Sequence, residues 1–103
     1  MNRLRKNNQD QLNVMRKIVE HPNLSQRDLA AKLGFSLGKL NYCLKELKVK
    51  GFVKMNNFKK SKNKMKYIYI LTPGGIAAKT KLTINFMKRT MQEYDQLKRE
   101  LDK

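Results

Sequence analysis

The sequence predicts a mainly α fold with a small β-wing (α+β): a helix-turn-helix, two short strands and a long C-terminal helix. Between Ser25 and Phe52, two helix-start signals and two glycine stops have the spacing of a helix-turn-helix. After Gly51 the helical period gives way to two short runs of β-branched and aromatic residues. From Pro73 the helical period returns. The 103 residues have the length of one domain, which we divide into a basic N-terminal arm (1–8), a winged helix-turn-helix (9–72) and a C-terminal helix (73–103).

The first helix is expected to begin at about Gln9 and to end no later than His21, because a proline follows. Its apolar residues recur at helical spacing: Leu12, Met15, Ile18 and Val19. Arg3, Arg5 and Lys6 precede it among asparagines, which is typical either of a basic arm that touches phosphates or of a frayed terminus.

The next two helices carry stop and start signals of their own. Ser25 can cap the first of them, and Gly34 can take the left-handed conformation that ends it. Ser36 can cap the second, which is stopped by Gly51. Only Phe35 separates the glycine from the second cap, so the helices must be joined by a tight turn. Their apolar residues are expected to face the core: Leu29, Ala30, Leu33, Leu40, Cys43, Leu44 and Leu47.

The opposite face of the second of these helices is polar, positive and nearly free of acids. It carries Gly38, Lys39, Asn41, Tyr42 and Lys45. In a DNA major groove, Asn41 has the donor and acceptor for an adenine edge, and Lys39 could reach guanine acceptors or a phosphate. Tyr42 could contact a phosphate or a thymine methyl group, and Lys45 a phosphate. Gly38 would let the backbone approach DNA closely. The alternative is that these are ordinary exposed helix residues.

The starts of both helices are further candidate DNA contacts. Ser25, Gln26 and Arg27 open the first helix, where backbone N–H groups and a guanidinium commonly bind phosphate. Ser36 opens the helix that would enter the major groove, and we include it among the contacts.

Two strands joined by a basic loop follow the helix-turn-helix. Residues 52–55 and 66–71 have strand composition, and the segment between them contains no acid. Its lysines are Lys59, Lys60, Lys62 and Lys64. A lysine run alone is usually only a solvated surface. Directly after a recognition-type helix, it predicts a wing whose lysines lie in or along a minor groove.

Thr72 and Pro73 open the last helix, as its cap and its first helical residue. A heptad seam then advances in alternating steps of four and three: Ile76, Thr80, Thr83, Met87, Thr90, Tyr94, Leu97 and Leu101. A helix of about 28 residues would reach roughly 42 Å, more than this domain needs for its own core. We expect 76–82 to fold back on the domain and the remainder to form a dimerisation arm. The predicted dimer contacts are Met87, Met91, Tyr94, Leu97 and Leu101.

The charge balance favours a nucleic-acid partner. The chain has 24 Lys and Arg against 8 Asp and Glu, a formal net charge of +16, and no acid lies between Leu47 and Gln92. No membrane association is expected, since the longest apolar run, 67–71, has five residues. The absence of an apolar leader and the single cysteine indicate a cytoplasmic protein.

We predict no enzyme, no cofactor and no metal. His21 is the only histidine, and Cys43 lies on an apolar helix stripe with no histidine near it in sequence. The sequence contains neither a Cys/His cluster nor a phosphate loop.

Six segments together resemble the MarR-type winged helix, and most closely its small branch of EPS-associated transcriptional regulators. They are L-S-Q-R-D-L-A-A-K-L-G, S-L-G-K-L-N-Y-C-L-K-E-L, K-G-F-V-K, N-F-K-K-S-K-N-K, Y-I-L-T-P-G-G-I and L-T-I-N-F-M-K-R-T-M-Q-E-Y. The resemblance implies a homodimeric regulator of transcription that binds double-stranded DNA, with a link to exopolysaccharide genes. A two-fold dimer would place its recognition helices about 34–36 Å apart on a pseudo-palindromic operator. Typical MarR proteins carry extra helices around an effector pocket. The resemblance therefore does not extend to a small-molecule effector.

Two other interpretations stay open at this point. An RNA- or ribosome-associated winged helix would have the same charge, and a non-enzymatic protein-interaction adaptor would use the seam to pair with a different chain. Competition between duplex DNA and structured RNA distinguishes the first, and sedimentation of the purified chain distinguishes the second.

Overall fold

The predicted fold class is confirmed by a computed structural model, which describes residues 2–61 and 64–103. Within those residues, four helices and two strands follow one another: α1 (Asn2–Glu20), α2 (Gln26–Leu33), α3 (Leu37–Val49), β1 (Val53–Ser61), β2 (Lys64–Leu71) and α4 (Pro73–Leu101). The two strands form an antiparallel sheet after the helix-turn-helix, which is the wing.

The prediction that a separate arm precedes the first helix is wrong, because α1 already begins at Asn2 instead of at about Gln9. Its polar first half is held by tertiary contacts that an apolar pattern does not show: the Asn7 side chain donates to Glu46 of α3 at 3.3 Å. The other end is as predicted, since α1 ends at Glu20, two residues before Pro22.

The core lies where α1, α2, α3 and the base of the wing meet. Its buried members are Val14, Met15, Ile18, Leu29, Ala30, Leu40, Cys43, Leu44, Leu47 and Val53. The apolar stripes predicted for α2 and α3 are therefore confirmed. In α1 the stripe is shifted by part of a turn: Val14 is fully buried, whereas Val19 is 53% exposed.

The predicted caps are present in the structure. The hydroxyl oxygens of Ser25 and Ser36 accept backbone N–H groups from Asp28 and Lys39 at 3.2 and 3.1 Å. Gly34 has φ 69° and Gly51 has φ 77°, the left-handed conformation that glycine adopts without strain. These stops fix the lengths of α2 and α3.

The strands of the wing are longer than the sequence indicated. Lys59 and Lys60 lie in β1 and Lys64 in β2, not in a loop. Pairing runs from Val53↔Leu71 towards the tip, with an irregularity after Lys59. Cross-strand hydrogen bonds can impose strand structure on lysines, whose own preference for it is low. Lys62 lies outside the described residues.

α4 begins next to the residues that lead into the wing, Gly51 and Phe52. Thr72 accepts from the Gly75 N–H at 3.0 Å and donates its hydroxyl to the Gly51 carbonyl at 2.5 Å, which confirms it as the cap. At Gly75 a Cβ atom would lie 1.9 Å from the Phe52 carbonyl oxygen, so only glycine fits there. Of the segment 76–82, which is predicted to fold back on the domain, Leu82 packs against the core, whereas Ile76 is 57% exposed.

From this base α4 runs for 29 residues, and the molecule measures 66 × 25 × 22 Å. Among the described helices, none has a run of apolar residues long enough to cross a membrane.

Candidate nucleic-acid interface

The candidate interface is the outer face of α3. Gly38, Asn41, Tyr42 and Lys45 are exposed, and Lys39 is half-buried. Tyr42 is 58% exposed although it is a large aromatic residue. The face is available because the buried side chains of α3 lie on its opposite side: Leu40, Cys43, Leu44 and Leu47.

Asn41 is oriented by a neighbour from α2. The Gln26 side chain donates its Nε2 to the Asn41 Oδ1. A carbonyl oxygen has two lone pairs, so Oδ1 keeps one acceptor site and Nδ2 keeps both donors. Asn41 therefore retains the donor–acceptor pair that an adenine edge requires, in an orientation fixed from α2. Gln26, predicted as a phosphate contact, here holds a side chain of the recognition helix.

Lys39 is turned towards α1. Its Nζ lies 3.4 Å from the Asp10 Oδ2 and 4.1 Å from the centre of the Phe35 ring. An ion pair and a cation–π contact both hold the ammonium group. To reach a base or phosphate, Lys39 would have to leave Asp10, so the structure gives it a position at the edge of the face.

Tyr42 is anchored through Glu46, one turn farther along α3. The hydrogen bond between the two side chains lowers the pKa of Glu46 and raises that of Tyr42. The Tyr42 ring is exposed to solvent.

Glu46 in turn ties α3 to α1. Its Oε2 accepts from the Gln11 Nε2 at 2.6 Å, and the Gln11 Oε1 accepts from the Lys50 Nζ at 3.0 Å. Sequence reasoning missed Gln11, which is only 1% exposed. A signal was present, since position 11 precedes Met15 by one helical turn and so falls on the apolar face of α1.

The starts of α2 and α3 are less suited to phosphate binding than the sequence indicated. The Ser25 hydroxyl caps α2 and also lies 3.0 Å from the Asp28 carboxylate, which places a negative charge near the expected phosphate site. Ser36 caps α3, and Arg27 is exposed. At Gly38 a Cβ atom would meet nothing closer than 4.0 Å within the chain, so any constraint there must come from a partner.

The wing carries Lys59, Lys60 and Lys64 on its strands, whereas their side chains and Lys62 lie outside what the structure describes. Their contact with a minor groove stays a prediction.

The outer half of α4 exposes a row of large apolar side chains. The predicted dimer contacts are between 56% and 85% exposed: Met87, Met91, Tyr94, Leu97 and Leu101. The threonines of the seam are internally satisfied, because the hydroxyls of Thr80, Thr83 and Thr90 donate to the carbonyls one turn back, at 2.7–3.1 Å. Their methyl groups can therefore take part in an apolar contact.

Residues 11–54 match a family described as winged helix-turn-helix DNA-binding. The structure is similar to a MarR family transcription regulator, with a TM-score of 0.70 and 18% identity over 84% of this chain and 56% of that chain. A mutant of MepR from Staphylococcus aureus bound to an oligodeoxyribonucleotide gives a TM-score of 0.64 and 22% identity over 89% and 72% of the two chains. PcaV from Streptomyces coelicolor, in complex with its natural ligand, gives a TM-score of 0.67 and 16% identity over 89% of this chain and 72% of that chain. No curated protein sequence matches the chain.

Residues 11–54 thus match a winged helix-turn-helix DNA-binding family, and the chain has the fold of the MarR-type transcription regulators to which its structure is similar. This confirms the predicted fold and the resemblance to the MarR-type winged helix, whereas the EPS-associated branch stays a prediction. Two of these structures of similar fold are described as transcription regulators. The chain spans 56% of the length of the first of these structures.

Proposed function

We propose that the protein is a sequence-specific regulator of transcription that binds double-stranded DNA as a homodimer on a pseudo-palindromic operator. The observation that carries this proposal is the outer face of α3, which is exposed and is held in place by partners within the chain. Gln26 orients Asn41, and Glu46 orients Tyr42. Side chains ordered before binding lose less conformational entropy on binding, which favours specific recognition.

The homodimer is supported by α4. Its apolar seam continues beyond the part that packs on the core, and at about 1.5 Å per residue the helix extends some 43 Å. An exposed apolar row of this length on a small domain is typical of a surface that a partner covers. A second copy of the same seam is the simplest self-complementary partner. The acids of the chain also return at Glu93, in the distal part of α4 and far along the chain from α3.

Selection of bound sites from random duplexes is the experiment that tests this function. The expected result is an inverted repeat with half-sites about one DNA turn apart. A selected set without two-fold symmetry would contradict the dimer. Stronger competition by structured RNA than by duplex DNA, at equal salt, would assign the protein to RNA instead.

Substitution of Asn41 tests the role of the recognition helix. We expect Asn41→Ala to bind the selected operator less tightly, by about 1–3 kcal/mol, and to relax the preference at one base position, because a bidentate base contact is lost. Lys62→Ala is the comparison, since loss of a phosphate contact weakens all sequences alike. The measurement is affinity for operator and random duplexes. Equal losses on both for Asn41→Ala would remove it from the residues that read bases.

A further inference from the structure

A groove lies between α3 and the base of the wing. Its volume is about 370 Å³, and it is lined by Asn41, Leu44, Lys45, Lys48, Val49 and Tyr69. All but Tyr69 belong to α3. Tyr69 lies on β2 opposite Met55, and its side chain packs against the core.

The lining of the groove has a polar, cationic part and an apolar part. Lys45 and Lys48 provide two cations, and Asn41 provides an amide, with no carboxylate among the lining residues. Leu44, Val49 and the Tyr69 ring provide an apolar surface. Val49 is 81% exposed, the most exposed apolar side chain of α3, whose core-facing leucines and Cys43 are buried.

Tyr69 keeps its proton at neutral pH. Partial burial raises the pKa of its hydroxyl above the ordinary value for tyrosine. A neutral phenol can donate a hydrogen bond to an anion without adding negative charge to the groove.

DNA geometry indicates what would cross this groove. One sugar–phosphate strand separates each major groove from the neighbouring minor groove. A protein with α3 in the major groove and the wing along the minor groove must therefore let that strand pass between them. The groove lies between these two elements, and a sugar–phosphate strand is divided chemically as the groove is, with an anionic phosphate and a largely apolar deoxyribose face.

We propose that this groove binds one segment of the DNA backbone, with its phosphate at Lys45 and Lys48 and its deoxyribose against Val49 and Tyr69. The proposal rests on the proposed function. It adds Lys48, Val49 and Tyr69 to the interface, as residues that fix the register of the protein on the duplex and read no base.

Lys48→Met tests the groove, because it removes the charge and keeps an unbranched side chain at an exposed position. The variant should bind three- to ten-fold more weakly on the selected operator and on random duplex alike. Its log–log salt slope should be less steep by about 0.9, the contribution of one phosphate. Lys32→Met is the matched control: Lys32 is exposed on α2 and lines a separate cavity with Glu20. It should lose little affinity and keep the full slope.

A phosphate-specific measurement separates a contact from a general loss of charge. Operator duplexes that each carry one neutral methylphosphonate are titrated with the wild type and with Lys48→Met. At one backbone position the two proteins should bind equally, since the contacted charge is then absent. If the difference persists at every position, or if Lys48→Met behaves like Lys32→Met, the groove is not a backbone site.

Two further measurements show which of the two proposals a negative result would overturn. Inorganic phosphate at matched ionic strength should not displace the DNA; displacement would assign the groove to a free anion and overturn the proposal. If the wild type fails to bind duplex DNA at all, the proposed function itself is wrong. If it binds and the groove variants bind equally well, only the groove assignment is wrong.

Discussion

At the scale of single residues, three side chains on the proposed DNA-binding face of α3 have partners within the chain. Asn41 is paired with Gln26, Lys39 with Asp10, and Tyr42 with Glu46. Each pairing reduces the rotamer freedom that binding would otherwise remove, a cost of about 0.5–1.5 kcal/mol for each immobilised side chain. The face is thus shaped by α1 and α2 as much as by α3.

Substitution of Gly38 is expected to change the stability of the fold and the affinity for DNA in opposite directions. The space around it would accept a methyl group, and alanine has the higher helix propensity, so Gly38→Ala should raise the free energy of unfolding by up to about 1 kcal/mol. The same methyl group would stand between the backbone and DNA, and operator affinity should fall. Thermal unfolding and operator titration measure the two effects. Unchanged affinity would show that the α3 backbone does not approach the duplex closely.

At the scale of elements, the junction between the wing and α4 depends on one glycine. In Gly75→Ala the new Cβ would meet the Phe52 carbonyl carbon at 2.8 Å as well as its oxygen, and backbone at both sides must shift. We expect destabilisation of about 1–3 kcal/mol or more, as for other forced overpacking. Thermal or denaturant unfolding measures it.

Gly74→Ala is the control for that prediction. Its Cβ would lie 3.7 Å from the nearest atoms, which is ordinary contact, so the substitution should be neutral or slightly stabilising. Similar effects at both positions would contradict the close approach of α4 to the Phe52 backbone.

The contact between α1 and α3 should depend on pH through Glu46. The Tyr42 hydrogen bond, the largest cause, and those from Asn7 and Gln11 lower the pKa of this carboxyl in the folded state. A lowered folded-state pKa means that the carboxylate stabilises the fold above the unfolded-state pKa of about 4.3. That stabilisation is lost as the pH falls through the lower folded-state value. The Tm of wild type should exceed that of Glu46→Gln at pH 7, and the difference should shrink below about pH 4. A difference that is constant down to pH 3 would exclude the carboxylate as its source.

At the scale of the whole molecule, the outer half of α4 carries the exposed apolar seam through which we propose that two copies pair. Leu97→Asp should dissociate the proposed homodimer, because a carboxylate in the seam cannot be buried without a partner. Sedimentation should then show a monomer, and affinity for an inverted repeat should fall towards that for a half-site.

Gln96→Asp introduces the same charge one residue away, outside the seam, and should leave the dimer intact. A stable dimer in Leu97→Asp, or equal dissociation in both variants, would place the contact elsewhere on the molecule.

The helix ends and core stripes could be predicted from sequence because local chemistry decides them. A serine cap acts on N–H groups three residues away, a left-handed stop needs only glycine, and apolar spacing marks the buried side of α2 and α3. The same logic failed for the first half of α1 and the outer part of the wing. There the helix contacts Glu46 of α3, and the strands are held by pairing with each other. Both contacts join residues that are remote in sequence.

The sequence by itself thus determined the order of the elements, the core stripes of α2 and α3, the polar side of α3 and the exposed seam of α4. Only the tertiary structure decided which partners orient the recognition face, why Gly75 must be glycine, and that α3 and β2 enclose a groove. Spacing along one helix defines its faces, whereas contacts between elements depend on how two backbones approach each other in space, and no single segment encodes that approach.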